Sequence, residues 1–310
     1  MEGIVVKSTG SWVIVRQENG HRVECRLRGQ FKIHGLKGTN PLAVGDRVDF
    51  ILEEGQESGM ITVIHERKNY IIRKSTNLSR VYQIMAANID QAYLVVTVGF
   101  PRTHLAFIDR FLTTAEAYHI PAALIINKID LYEGEWLQRF LDLKILYEGI
   151  GYPVYPVSAL RGDNIQELKE IIKDKVTLFS GHSGVGKSAL LNGLEPGLDL
   201  KVNAISAYHL SGKHTTTFAE MHELSFGGFV IDTPGIREFG LSDFRKEEVA
   251  ERFPEFRAIQ DQCQFNNCTH THEPKCAVKE ALAKGDISTS RYRNYLGIID
   301  DEELEENDWE

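Results

Sequence analysis

The chain has 310 residues, 42% of them hydrophobic and 25% charged, with 26 Gly and 9 Pro. That length suits two or three domains, and that composition excludes wholesale disorder. The net charge of −9 argues against a nucleic-acid surface only until it is divided along the chain: residues 1–80 carry 13 Lys and Arg against 9 Asp and Glu, 81–240 carry 13 against 18, and 241–310 carry 9 against 17.

No apolar run approaches the ~20 residues of a membrane span. The opening MEGIVVKSTG lacks the basic-then-apolar start of a secretory signal, so a cytoplasmic chain without a membrane partner is expected, acting as a monomer. The last eleven residues, DDEELEENDWE, hold eight acids and no base. They are expected to form a solvated tail, 300–310, whose charge does not belong to the folded surface.

Residues 1–68 carry short β-rich runs (GIVVKSTGSWVIVRQ, HRVECRLRG, DRVDFIL, GMITVIHER) separated by Gly, Asn and Asp turns. In HRVECRLRG the residues Arg22, Glu24, Arg26 and Arg28 alternate with Val23, Cys25 and Leu27, the period of a half-buried strand. About five such strands predict a small closed barrel of the OB type. Cys25 is then expected to be a core thiol. The arginine face is either an RNA surface or an ordinary solvated one. Residues 69–88 show no clean period and are taken as a linker with three bases, Arg73, Lys74 and Arg80, and no acid.

From 89 to 240 strands and helices alternate. QAYLVVTV, AALIIN, YPVYPVSA and VTLFS are extended. THLAFIDRFLTTAEAYH has helical spacing through Leu105, Ile108, Phe111, Leu112 and Ala115, and GEWLQRFLDLKILYEGIG, NIQELKEIIKDK and KSALLNGL are also helical. Asn164 is expected to cap the third of these helices, with Glu167 completing a capping box. The alternation predicts a parallel sheet with helices on both faces. Residues 241–299 are expected to be mostly helical around a Cys/His cluster.

Residues 181–188, GHSGVGKS, match G-x-x-x-x-G-K-[ST] between a strand and a helix. Gly181, Gly184 and Gly186 allow the backbone N–H groups of His182, Ser183 and Val185 to turn inward around phosphate oxygens. The helix N-terminus favours the same anion. Lys187 would reach the β and γ phosphates, and Ser188 would offer its hydroxyl to Mg²⁺.

Residues 127–130 read NKID. The Asp130 carboxylate can accept from guanine N1–H and the 2-amino group, donors that adenine lacks. Asn127 would contact the base or brace the phosphate loop, and the stem of Lys128 would pack over the purine. Ser158 and Ala159 follow the next strand, where a backbone N–H could meet the guanine carbonyl. Residues 232–235 read DTPG: Asp232 would hold Mg²⁺ through water, and the Gly235 N–H would meet the γ phosphate. Between lies GKHTTT, where Thr216, or its neighbours Thr215 and Thr217, would complete the Mg²⁺ shell.

The order of these motifs is inverted relative to an ordinary GTPase, in which the phosphate loop comes first. A circular permutation accounts for it, because chain ends that lie close together can be rejoined without disturbing a sheet. The second switch then runs directly into the C-terminal module. After DTPG stands Ile236, where Ras-like enzymes place a water-orienting Gln. Slow intrinsic hydrolysis is expected unless another group substitutes. His214 is the candidate catalytic residue, its other reading being an exposed loop histidine.

Four cysteines in such a chain do not suggest disulfides. Cys263, Cys268, His270 and Cys276 stand at C-x4-C-x-H-x5-C, the donor set of a closed structural Zn²⁺ site. His272 is a rival ligand, and a redox switch is the other functional reading.

Together these features resemble the ribosome small subunit-dependent GTPase A family (RsgA, YjeQ or YloQ), over nearly the whole chain. The resemblance rests on the barrel, the order NKID–SAL–GHSGVGKS–GKHTTT–DTPG, the cysteine spacing and the segment RYRNYLGI. It implies a multidomain fold: an OB-type RNA-binding barrel (1–68), a circularly permuted P-loop α/β GTPase domain (89–240) and a zinc-binding module (241–299). It also implies GTP hydrolysis stimulated by the small ribosomal subunit, late maturation of that subunit, rRNA and GTP/GDP as partners, and His214 as the catalytic group. A GTP-gated checkpoint protein with little turnover, which Ile236 favours, and a phosphotransferase, which NKID opposes, are the alternatives.

Overall fold

The computed structural model describes residues 1–9, 12–27, 41–53, 55–74, 82–200, 219–232 and 246–300. The N-terminal strands are β1 (Glu2–Ser8), β2 (Val13–Arg16), β3 (Arg22–Leu27), β4 (Arg47–Leu52) and β5 (Gly59–Ile64). They pair in the order β1-β2-β3-β5-β4, and β4 returns to β1, closing a five-stranded barrel. Only β3 and β5 run parallel. Val5, Val15, Val23, Cys25, Val48, Phe50 and Ile61 fill the interior. Cys25 is buried as its period requires, and burial pushes its thiol up to about 11. Arg22, Glu24 and Arg26 face outward, and Arg26 lies over the Trp12 ring and pairs with Glu53. Arg28 lies outside the described residues.

The stretch 69–88 is not a plain linker. Within it β6 (Tyr70–Lys74) and β7 (Tyr82–Ala87) pair antiparallel. A register shift between Ile71 and Ile72 breaks the alternation that would have revealed the first strand. Asn69 exchanges two hydrogen bonds with the Ile89 backbone, and Ala87 N–H donates to Val44 of the barrel. The pair is therefore tied into both neighbours.

The following elements are β8 (Gln91–Val96), α1 (Leu105–Ala117), β9 (Ala122–Ile126), α2 (Glu135–Gly149), β10 (Val154–Pro156), α3 (Ile165–Ile172), β11 (Val176–Ser180), α4 (Lys187–Leu194), β12 (Glu220–Glu223) and β13 (Phe229–Asp232). Their sheet runs β10-β9-β8-β11-β13-β12, parallel except for β12. Ala92, Leu94 and Val96 of β8 pack with α1 and α2, whereas Tyr93 and Val95 pack with α3 and α4. Both faces are covered, which is why β8 is apolar throughout.

All five spaced residues of α1 are buried, and so is Asp109 among them. Asn164 precedes α3, but in a left-handed conformation, and its side chain makes no cap bond; Nδ2 donates instead to Pro156 O (2.8 Å). The expected capping box is thus replaced by a brace to the preceding strand. The barrel joins this sheet through β1 and β12, with Lys7 beside Glu220 (3.2 Å) and Arg16 pairing with Glu223.

The C-terminal module holds α5 (Lys246–Ala250), α6 (Pro254–Arg257), α7 (Ala277–Lys284) and α8 (Thr289–Ile299). The segment RKEEVAERFPEFRAI has a helical pattern throughout, but Pro254 cannot continue the backbone ladder and starts α6 instead. Phe253, Phe256, Val278 and Tyr295 form its core around the three cysteines. Among the described residues no helix is long and apolar enough to cross a membrane.

Candidate functional site

The register of the parallel strands brings the motifs together. Leu94 stands beside Ser180, Phe179 beside Asp232, and Ile126 beside both Val96 and Pro156. NKID, SAL, the phosphate loop and Asp232 therefore leave the same C-terminal edge of the sheet. β11 sits at its middle, between β8 and β13, where the strand order reverses and where open α/β sheets bind ligands.

The phosphate loop is held from two sides. Asn127, 1% exposed, donates from Nδ2 to Val185 O (2.8 Å) and accepts from the Ala159 N–H (3.0 Å). Of the two roles foreseen for Asn127, the brace is the one observed. In the SAL segment the Ser158 N–H donates to Asp163 O (3.2 Å) and the Ala159 N–H to Asn127. Lys128 donates to Gly184 O (2.8 Å) and to Phe100 O, which fixes its stem along the loop. Ser158 Oγ donates to Asp130 Oδ1 (2.5 Å), leaving the second carboxylate oxygen of Asp130 free of that bond. Lys187 forms an ion pair with Asp232 across the loop. Ser188 lies in the first turn of α4, so a hydroxyl, a carboxylate and a cation gather where a phosphate and a hard cation would sit.

The glycines here are structural requirements. Gly186 has φ 89°, and a Cβ there would lie 2.4 Å from Asn127 Nδ2. Gly184 has φ 88° and packs on Pro101. Gly186→Ala is expected to cost about 1–3 kcal/mol of domain stability in a urea titration, because it forces a left-handed alanine against the brace. Gly193→Ala, in α4 with open space around it, should be neutral or slightly stabilising. Equal losses for the two would contradict this account.

A second site lies in the C-terminal module. The ligand atoms of Cys263, Cys268, His270 and Cys276 all lie within 4.8 Å of one another. His270 Nδ1 is 3.4 Å from Cys276 Sγ and 3.7 Å from Cys263 Sγ, close to the edge of about 3.8 Å that a tetrahedron of 2.3 Å Zn–S bonds requires. His270 is buried, whereas His272 is exposed and bonds Thr271, so the geometry selects His270. Burial pushes the Cys268 thiol up to about 12 and the His270 imidazole down, so a bound cation is what would make the sulfurs thiolates. The donor set fits zinc. Glu273 braces the loop: burial opposes its ionisation, but bonds from Thr269 and Thr271 outweigh that and hold its carboxyl down at about 2. Tyr292 and Tyr295 of α8 donate to His270 O and Thr269 O (2.6 Å each).

A family model described as RsgA GTPase matches residues 64–242, and one described as RsgA N-terminal domain matches residues 2–61. The chain belongs to the RsgA GTPase family. It is 54% identical over 302 residues to the small ribosomal subunit biogenesis GTPase RsgA of Flavobacterium psychrophilum, covering 97% of this chain and 93% of that one. It is 50% identical over 303 residues to the protein of that name from Bacteroides fragilis, covering 98% and 97%. In structure it is similar to YjeQ from Thermotoga maritima (TM-score 0.79, 39% identity, 97% of each chain) and to YloQ, a circularly permuted GTPase (TM-score 0.75, 30% identity, 98% and 96%). Family membership accounts for the inverted motif order and makes the enzyme a GTPase.

His214, Thr215, Thr216, Thr217, Gly235 and Ile236 lie outside the described residues. Motif reading missed two groups. The first is the loop 97–104, whose Thr103 Oγ1 meets His182 Nε2 of the phosphate loop at 2.7 Å. It carries no sequence signature. The second is Asp109, whose signal was a carboxylate inside an apolar stripe.

Proposed function

We propose that the chain hydrolyses GTP in response to the small ribosomal subunit and acts late in that subunit's maturation, as a cytoplasmic monomer that binds rRNA in the GTP state and leaves after hydrolysis. The observation that carries the reading is the convergence of NKID, SAL, the phosphate loop and Asp232 on one sheet edge. The names of the relatives supply the ribosomal partner.

Asp130, oriented by Ser158, accepts from the guanine edge. Asn127 and Lys128 keep the loop in its cradle form, and its amides, from His182 to Ser188, face the phosphates. Lys187 leaves Asp232 for the β and γ phosphate oxygens. Ser188 and Thr216 would supply oxygen donors for Mg²⁺ and Asp232 would hold it through water; when bound, the ion neutralises charge on those phosphates. The Gly235 N–H senses the γ phosphate, and His214 orients the attacking water in place of the missing Gln. Cys263, Cys268, His270 and Cys276 hold a structural Zn²⁺. Arg22, Arg26 and Arg28 form part of the rRNA surface.

Steady-state hydrolysis of GTP and ATP, alone and with small subunits, large subunits or free rRNA, tests this. Slow GTP-only turnover that rises steeply with small subunits is expected, and in His214→Ala the rise should shrink by about 10²–10⁴-fold. Turnover indifferent to small subunits would remove the ribosomal activator. Stimulation unchanged in His214→Ala would remove the histidine's role.

A further inference from the structure

Asp109 of α1 and Arg291 of α8 are both fully buried, at 0% and 1% exposure. Arg291 Nη1 donates to Asp109 Oδ1 (2.6 Å), and Nε and Nη2 donate to Glu255 (2.7 and 3.1 Å). Asn294 donates to Asp109 Oδ2 (2.6 Å), and Tyr147 of α2 donates to Oδ1 (2.7 Å). The guanidinium also covers the Phe253 ring at 4.4 Å. Burial works against its charge, but Asp109 and Glu255 outweigh that and keep Arg291 protonated. Every acceptor in the cluster has a donor, so the contact fixes one rotation and one register of α8 on α1.

Each of the two helices also bears on a site. The tyrosines of α8 grip the Cys/His loop. Asp109 stands one turn, about 6 Å, into α1, and the loop leading into α1 is clipped to the phosphate loop. There Thr103 meets His182, Pro101 packs on Gly184, and Phe100 O shares Lys128 with Gly184 O. That loop is itself braced: Thr97 N–H donates to Thr103 Oγ1 (3.0 Å), and Thr103 N–H to Thr97 O (2.9 Å). The phosphate loop and the Cys/His loop are thus linked by one series of contacts, buried at Asp109 and Arg291 and partly exposed at its two ends, separate from the covalent route through the second switch.

We propose that Arg291 is a positioning residue for the GTP site: by locking α8 to Asp109 it holds the α1 entry loop against His182 and Gly184, so nucleotide affinity and the order of the C-terminal module are coupled. Coupling of this kind is reciprocal, so nucleotide must tighten α8 by the same factor by which α8 tightens nucleotide. The inference rests on the phosphate loop being the nucleotide site.

The test uses the full, zinc-loaded chain and fluorescent mant-GDP. Arg291→Lys keeps the charge but cannot fork between Asp109 and Glu255. It is expected to weaken mant-GDP binding by about tenfold while keeping its zinc. In the wild type, GDP is expected to slow hydrogen exchange across residues 289–299 by about tenfold. Thr103→Val cuts the link at the other end without touching the module; it should keep its zinc and lose the effect of GDP on 289–299. A merely structural Arg291 would change α8 exchange and leave mant-GDP affinity within twofold of wild type, and that result overturns the proposal. If Arg291→Lys loses zinc, Thr103→Val decides: persistence of the GDP effect in it also overturns the proposal. A wild type that fails to bind mant-GDP overturns the nucleotide-site reading and this inference together, whereas one that binds but shows no GDP effect on α8 overturns this inference alone.

Discussion

Asp130→Ala is expected to weaken GTP binding by about 10²–10⁴-fold and to leave ATP binding where it was. Two hydrogen bonds from the guanine edge to a charged acceptor contribute about 1.5–3 kcal/mol each, and 1.4 kcal/mol is a factor of ten. Ser158 already holds one carboxylate oxygen of Asp130, so the side chain does not have to be ordered when the base arrives. The conservative variant is more informative. Asp130→Asn replaces one acceptor by a donor, so it should lose GTP and gain xanthosine triphosphate, whose base carries a carbonyl where guanine carries the amino group. Competition binding with GTP, ATP and xanthosine triphosphate reads all three. A variant that still prefers GTP over ATP would show that another group reads the base.

Removal of the metal should have the second large effect. One zinc per chain is expected by elemental analysis, and Cys268→Ser or His270→Ala should reduce it to less than about a tenth, since each removes a ligand from a closed four-ligand site. His272→Ala should keep the metal, because its ring is exposed and bonded to Thr271. Structural zinc supplies about 10–16 kcal/mol of apparent binding energy to small modules. Here the cysteines are three of the twelve buried core residues of the module, so loss of the ion leaves unligated sulfurs in the middle of that core. Chelation is therefore expected to melt residues 246–300 and leave the sheet of the GTPase domain folded. Two separate transitions in hydrogen exchange would bear this out, and a module that stays protected after chelation would refute a zinc-dependent fold.

Sequence periodicity by itself determined the strands and helices whose local pattern runs uninterrupted. The alternation in β3, the continuous apolar run of β8 and the spaced residues of α1 are local properties, set by the period of the backbone and visible in a window of a few residues. The motif chemistry was legible for the same reason, because GHSGVGKS, NKID and the cysteine cluster each lie within fourteen residues. Their inverted order was legible too, and with it the permutation. Where a local pattern was interrupted, legibility failed: a bulge hid β6, Pro254 broke a helix that the apolar period would have continued, and Asn164 found a better partner in Pro156 than in its own helix.

Only the tertiary structure decided what pairs with what. Strand register placed four distant motifs on one edge and put β11 between β8 and β13 at the middle of the sheet. The choice of His270 over His272 was decided by burial. Asp109, a charge in the apolar stripe of α1 that by itself reads as a flaw, and Arg291, one of two arginines in RYRNYLGI, stand 182 residues apart. A buried charge is intelligible only with its partner, because its cost in a low-dielectric interior is offset by a specific opposite charge that no local window contains.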